Sequence, residues 1–504
     1  MSMLNTRKQK LTAFIISLLL FLLTASLMQF INHSMESSYH VEILEEKPLL
    51  SSYHYKDYSN LLLYHGQPVA VDLETSTIYI SENLETEEEI REIWSGFRFT
   101  TGGHKLYTVL EEDITQALNA VSENRSFPLY IVNRARQYMQ YQVVFTSLPV
   151  MTLEGSFYDK DPQSEREIYS GEMALWTPDM QDGLVFSKLH WHERGASTSL
   201  LPKTSLKLSL KKTNGQNRYL DLLDMGEDDD WILNAINRDD TKIREKLFMD
   251  LWNQAAEESS QPPMSTGKYI EVICNGTYVG VYLLQRRVDK KYLDLSPEDS
   301  LFKGKQTYID GAKTFYYEQL FGSSQHDSLL QEILSGKNPS AIQPENLIDL
   351  NLFLQFSNAY DNLYPKNMYY LLRRQEDFLQ LQMIPWDTDI SFGMELSDIF
   401  YYDDSTWNAP PIERPETPFL RSTLPDLDSL TAQRWAELRE DLLTQDNIFR
   451  IIDTCYETLH RSGALLRDQA SWSQQYCGED TADGLKDWIS RRLTFLDQHY
   501  HYSA

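Results

Sequence analysis

Apolar and polar positions run along this chain in blocks of changing period, and the changes divide it. Residues 11–31, LTAFIISLLLFLLTASLMQFI, carry no charge at all, and an apolar run of that length predicts a membrane-spanning helix. Residues 32–60 turn polar and rich in Ser, Tyr and Glu, as a linker would. From 61 to 145 come short strand-like runs, LLLYHG, STIYIS, KLYTVL, FPLYIVN and QYQVVFTSL. The acidic stretches 82–94 and 110–123 between them read as solvated helices, so an accessory α+β region is expected. Alternation in TSLKLSL puts Leu206, Leu208 and Leu210 on one face of a strand and Ser205, Lys207 and Ser209 on the other. Residues 239–258 have helical periodicity, with Ile243, Leu247, Leu251 and Trp252 on one stripe and Asp239 or Asp240 where an N-cap belongs. Two β-rich runs meet at Asn275-Gly276, the pair that a tight type I′ hairpin turn prefers. PENLIDLNLFLQFSNAYDN (344–362) predicts a helix, and MYYLLRR and FLQLQMIPW a second hairpin around QED. Residues 425–504 read as amphipathic helix. The expected fold class is α+β, with a main domain over 146–424 and a helical region over 425–504.

Charge narrows the function. The net charge of -28, from 74 acidic and 46 basic residues, argues against a nucleic-acid-binding surface and against general attraction to anionic lipid. It leaves room for a local basic pocket. Arg7, Lys8 and Lys10 precede the apolar run, which predicts residues 1–10 in the cytoplasm, a retained single-pass anchor over 11–31, and the main domain on the other side of the membrane. A cleaved signal peptide is the competing reading, but its apolar region is usually shorter. Cys274, Cys455 and Cys477 are too few for a disulfide framework. No Cys and His spacing suggests zinc. Nothing in the chain indicates its oligomeric state.

Four segments place polar groups where chemistry needs them. In ERGASTSLLPKTSLKLSLKK (193–212), Arg194, a small-residue loop with Ser197, and then Lys203 and Lys207 suit a phosphate site; solvated strand lysines are the plainer reading. Asp240 and Arg244 lie one helical turn apart, as a surface ion pair or as part of the same pocket. In DNLYPKNMYYLLRRQEDFLQLQMIPWDTDISFG (361–393), Asp361 and Asn367 open the stretch, and Asp387 and Asp389 close it. Phosphoryl transfer to a hydroxyl needs a carboxylate to accept the proton and oxygen ligands for a hard divalent cation. The alternative is a packed turn of Trp386, Phe392 and Gly393 capped by the acids. A hairpin joining two acidic turns fits the metal reading better, because an acid buried without a cation or donor is costly.

RGASTSLLPKTSLKLSL, WILNAINRDDTKIREKL, VICNGTYVGVYLLQRRVD, DNLYPKNMYYLL and MIPWDTDISFG resemble, in that order, the motifs of the spore coat protein H (CotH) family of atypical protein-kinase-like proteins. The resemblance covers roughly 145–420. It implies a divergent two-lobed kinase fold, ATP with Mg²⁺ or another divalent cation, and transfer of the γ-phosphate to Ser residues of partner proteins at the cell envelope or spore coat. It implies Asp361 as the catalytic-loop aspartate, with Asp387 or Asp389 as the metal acid. It also puts Lys203 and Lys207 at positions facing phosphates. Gln285-Arg286-Arg287 stands where the family usually shows Thr-Glu before a basic residue, and Arg-Gly-Ala-Ser stands in place of Arg-Gly-Asn-Ser. The alternative function is therefore a catalytically weak pseudokinase, or a structural envelope or coat protein, that binds an anionic ligand.

Overall fold

The computed structural model describes residues 41–504 except 49, 85, 87–88, 90–91, 110–123, 125, 162–165, 179–183, 196–200, 260, 310–311, 395–406, 477–479 and 504. The predicted membrane span, the acidic stretch 110–123, Ser197 and Cys477 lie outside the described residues. Among the described residues no helix is long and apolar enough to cross a membrane.

The chain divides into two compact units. The first comprises residues 1–152, 175–184 and 273–278. Its described part contains a six-stranded mixed sheet, a three-stranded sheet and one aromatic-rich core that includes Trp94, Phe97, Tyr141 and Phe145. Strand Val41–Leu44 falls in the segment read as linker and pairs in parallel with His104–Val109. The accessory region thus begins earlier than residue 61.

The second unit holds the remaining residues and everything with candidate chemistry. Seven strands close a barrel, among them Val185–Arg194, Ser205–Lys211, Asp230–Asn234, Gly267–Cys274 and Thr277–Arg286. The alternation in Ser205–Lys211 holds: Leu208 and Leu210 are fully buried, and Lys207 and Ser209 are only half-buried. The turn of the Gly267–Arg286 hairpin, whose residues 273–278 belong to the first unit, is as expected, with Asn275 and Gly276 both at positive φ (49° and 73°). Helix Arg244–Glu257 buries the whole predicted stripe of Ile243, Leu247, Leu251 and Trp252. Its start is held by Asp239, whose Oδ2 accepts the Arg244 backbone N–H at 2.7 Å. A four-stranded sheet follows, in the order Ala312–Phe321, Ser300–Ile309, Met368–Gln375, Phe378–Pro385. Helix Pro344–Ser357, nearly all buried, packs against its last strand.

The C-terminal helices are built into this unit. Arg467, in helix Ala464–Ser471, makes a two-pronged pair with the buried Glu271 of the barrel, both contacts 2.8 Å. The adjacent Asp468 takes Lys203 Nζ at 2.5 Å and lies 3.6 Å from Lys242. Its Oδ1 also accepts the Val281 N–H, and Oδ2 the Tyr476 hydroxyl. Arg492, in helix Ala482–His499, donates to the Gln355 carbonyl at the end of Pro344–Ser357. The boundary drawn at 424/425 therefore cuts through a continuous core. Asp468→Ala should leave the Lys203 and Lys242 ammonium groups buried without their counter-ion. Loss of one partner of such a group costs ~3–5 kcal/mol, so the denaturant midpoint should fall sharply. An unchanged midpoint would show that the C-terminal helices are not integral to the fold.

Candidate functional site

Helix Pro344–Ser357 ends at Asn358, which takes the left-handed conformation at φ 51°. The chain then makes two short 3₁₀ turns, Tyr360–Leu363 and Pro365–Asn367, which carry Asp361 and Asn367. The hairpin that follows pairs from Gln375↔Phe378 to Met368↔Pro385. Residues just before 368 and just after 385 therefore meet at its open end. One buried amide joins them: Asn362 Nδ2 donates to the Asn367 carbonyl at 3.1 Å and to the Trp386 carbonyl at 2.8 Å. The Trp386 N–H donates back to the Asn367 carbonyl at 3.1 Å. Beneath them the buried Arg414 donates to the Asn362 carbonyl at 2.6 Å while paired with Glu416.

Four acids converge here. Asp361 is buried, accepts from Asn367 Nδ2 at 2.8 Å and pairs with Lys366 Nζ at 2.7 Å. Asp387 is exposed and sits at φ 59°, a conformation a short polar side chain tolerates. Asp389 is half-buried. Burial, then the charges of Asp387, Glu245 and Asp361, push its carboxyl well above the usual range. Glu245, in the first turn of helix Arg244–Glu257, is the fourth. It is buried, accepting from Gln285 Nε2 at 2.9 Å and Asn234 Nδ2 at 2.6 Å. Burial and Asp387 push it up to about 7.

Cations face these acids. Lys303, on strand Ser300–Ile309, lies 5.0 Å from the ring centre of Tyr369 and 5.1 Å from that of Trp386. Arg194 lies over Trp386 at 5.5 Å. Neither side chain makes an ion pair among the described residues. Burial first, then Arg194 and Lys305, lower Lys303 to about 7. A half-buried ammonium that makes no ion pair among the described residues, next to a guanidinium, is suited to an anion. Lys207 shares Asp230 with Arg287, at 3.3 and 3.0 Å, and Arg287 acts in turn on Lys303.

Asp361, Asn367, Asp387, Asp389 and Arg194 are thus brought together. Lys203, Asp240 and Arg244 are not, and their expected contact with a nucleotide is revised. Lys203 Nζ is enclosed by Asp468 and the Val281 carbonyl. Arg244 pairs with Asp239 and Asp480 rather than Asp240, and its Nε donates to the Phe392 carbonyl at 3.3 Å. Asp240 is buried and acts on Asp480. Arg244 thereby supports the site from behind. Phe392 is held at φ 48°, unusual for a bulky side chain, by that bond, by its own N–H on the Ser357 carbonyl, and by rings of Phe356 and Trp488. Sequence reasoning missed Glu245, Lys303 and Asn362. Glu245 reads as an ordinary acid in a first helical turn, and Lys303 as a polar position on an alternating strand.

Among the described residues, no three His, Cys, Asp or Glu side chains lie close enough to chelate a metal by themselves. Mg²⁺ bound with a nucleotide usually takes one or two carboxylates, the phosphates and water, and this donor set fits that arrangement. Among the described residues, the buried Thr388 hydroxyl between the two acids has no hydrogen-bond partner.

Residues 192–496 match the model of a protein family described as CotH kinase protein. The match runs through the C-terminal helices, beyond the motifs at 145–420. No curated protein matches the chain.

Glu245 holds a proton in the folded protein at pH values where the unfolded chain, with an ordinary value of 4.5, has released it. The folded state without metal therefore loses stability as pH rises from about 4.5 to about 7. Glu245→Gln removes that loss, and the Gln285 amide can turn to accept from it, because Gln285 Oε1 has no partner among the described residues. The variant should melt higher than wild type at pH 7.5 and lose the advantage near pH 4.5. A lower melting temperature at pH 7.5 would contradict this.

Proposed function

The chain belongs to the CotH kinase protein family, and on that premise we propose that it transfers the γ-phosphate of ATP to Ser residues of a partner protein, within a divergent two-lobed kinase-like unit. The observation that carries the proposal is the Asn362 clamp. It holds Asp361 and Asn367 beside Asp387 and Asp389, with Lys303 and Arg194 nearby and not neutralised. Asp361 orients the acceptor hydroxyl and takes its proton. Asn367 and one of Asp387 and Asp389 hold Mg²⁺, which offsets triphosphate charge when bound. Lys303 and Arg194 bind phosphate oxygens, a role expected of Lys203 from sequence. Lys366, paired with Asp361, is placed to meet the transferring group. Gln285, where an acid is usual, holds Glu245 and keeps a further negative charge out of the cluster. That supports activity over the pseudokinase alternative.

The proposal includes an envelope or spore-coat setting, with the N-terminal apolar run retained as an anchor and the main domain outside the cytoplasm. Its support is the basic residues preceding that run. Protease added to intact spheroplasts should digest the domain, and full protection would place it in the cytoplasm instead.

The catalytic roles should fail differently. Asp361→Ala should keep Mg-ATP binding while slowing transfer ~10²–10⁴-fold. Lys303→Met should weaken ATP binding, because it removes a cation from the phosphates. Labelled phosphate on a Ser-containing acceptor and calorimetric ATP binding would read the two effects. If wild type binds Mg-ATP but transfers no more than Asp361→Ala, the protein is an anionic-ligand-binding member of the family.

A further inference from the structure

The four-stranded sheet ends in an unusual edge. Strand Ser300–Ile309 pairs with Met368–Gln375 only from Ser300↔Leu372 to Lys303↔Tyr369. It stays paired with Ala312–Phe321 from Leu301↔Phe321 to Ile309↔Ala312. Beyond Lys303, the two-stranded arm Gly304–Ile309 with Ala312–Tyr317 therefore projects past the open end where the acidic turns meet. Six residues of strand reach roughly 20 Å.

The arm and the acidic turns touch directly. A Cβ on Gly304 would lie 1.6 Å from the Pro365 carbonyl oxygen, so only glycine lets the strand press against the turn that carries Lys366 and Asn367. Next to it, Tyr364 stacks on Phe315 of the outer strand at 5.8 Å and 16°. The outer strand, AKTFYYEQLF, is ten residues long with no proline, and among the described residues no strand pairs with its outer side. Natural edges this long are normally blocked by charge, proline or cover. Here the charges are already used. Lys313 lies over the rings of Tyr364 and Phe315, at 4.7 and 5.5 Å, and Glu318 is paired with Lys305 at 3.1 Å. Exposed Tyr308, Ile309 and Tyr316 complete an apolar surface around this edge.

We propose that strand Ala312–Phe321 docks the acceptor polypeptide by strand addition, main chain to main chain, and so leads a serine of an extended segment past Tyr364 to Asp361. The inference rests on the phosphotransferase reading for the identity of its occupant. Main-chain pairing supplies affinity with little side-chain selectivity, so the occupant is an extended, unfolded, serine-bearing segment rather than a folded domain. Its alternate side chains fall on the two faces of the sheet. One set lies toward Tyr364 and Pro365, the other toward Lys305 and Tyr316.

The test uses the full-length protein and a labelled ten-residue peptide of alternating Ser and Val with lysine ends, read by fluorescence anisotropy. Its counterpart is N-methylated on alternate amides, which keeps the side chains and removes the ladder donors. Lys313→Pro and Thr314→Pro are made together, because of two neighbouring edge residues one N–H points into the sheet and the other outward. The variant that keeps the wild-type melting temperature is the one scored. N-methylation and the scored proline should each weaken peptide binding at least tenfold and leave Mg-ATP affinity unchanged. Equal binding of the N-methylated peptide, equal binding by the scored variant, or no binding by wild type would each overturn it. Transfer to the peptide with an unchanged acceptor KM in the scored variant would refute the docking edge and leave the kinase reading intact. Edge-dependent peptide binding by a protein that never binds Mg-ATP would do the reverse.

Discussion

Concentrating negative charge at one point is the constraint around which the second unit is built. Asp389 is pushed well above the usual carboxylate range and Glu245 up to about 7, because burial first, and then the charge of Asp387 beside each of them, disfavour ionisation. The hairpin brings the two acidic turns together against that repulsion. The Asn362 amide keeps them together with two hydrogen bonds to main-chain carbonyls, one in each turn. Each such bond is worth only about 1 kcal/mol net. Leaving either carbonyl buried and unmatched would cost more than that, which makes the clamp hard to open. Arg414, bound to the Asn362 carbonyl and to Glu416, fixes the clamp to the core beneath.

The rest of the unit supports this point from a distance. Arg244 connects the helix that carries Glu245 to the Phe392 carbonyl, and Asp480 from the C-terminal region completes its pairing. Asp480 is itself raised to about 6 by burial, an effect Arg244 offsets only in part. The turn after Asp389 is therefore braced by residues from three parts of the chain. Lys203 and Asp468 brace the barrel in the same way. The family match from 192 to 496 agrees with this: barrel, hairpin and C-terminal helices form one body of interactions.

The local parts of this arrangement are legible in the sequence, and the distant parts are not. The Asn275-Gly276 turn, the Ile243 to Trp252 stripe and the Met368–Pro385 hairpin follow from patterns a few residues long. Asp361, Asn367, Asp387 and Asp389 belong with them, because a hairpin brings its own ends together. The sequence points Lys203 and Arg244 at the pocket and hides their buried partners, Asp468 and Asp480, which lie 265 and 236 residues along the chain. No local pattern announces such a partner. Lys303 escaped notice for a related reason. Its place over Tyr369 and Trp386 depends on the register Lys303↔Tyr369 between strands far apart in sequence. The mixed α+β class was readable throughout, whereas the linker reading failed where Val41–Leu44 joins a sheet through a partner more than sixty residues on.

On the reading proposed above, the acid cluster and the cations beside it form one binding site for a nucleotide carrying its metal. Isothermal titration of the full-length protein with ATP, in Mg²⁺ and then in excess chelator, tests it most directly. Saturable binding with Mg²⁺ and at least tenfold weaker binding without it are expected, because the triphosphate then meets Asp387 and Asp389 with no cation between them. Equal affinity in chelator, or no binding in either condition, would contradict it.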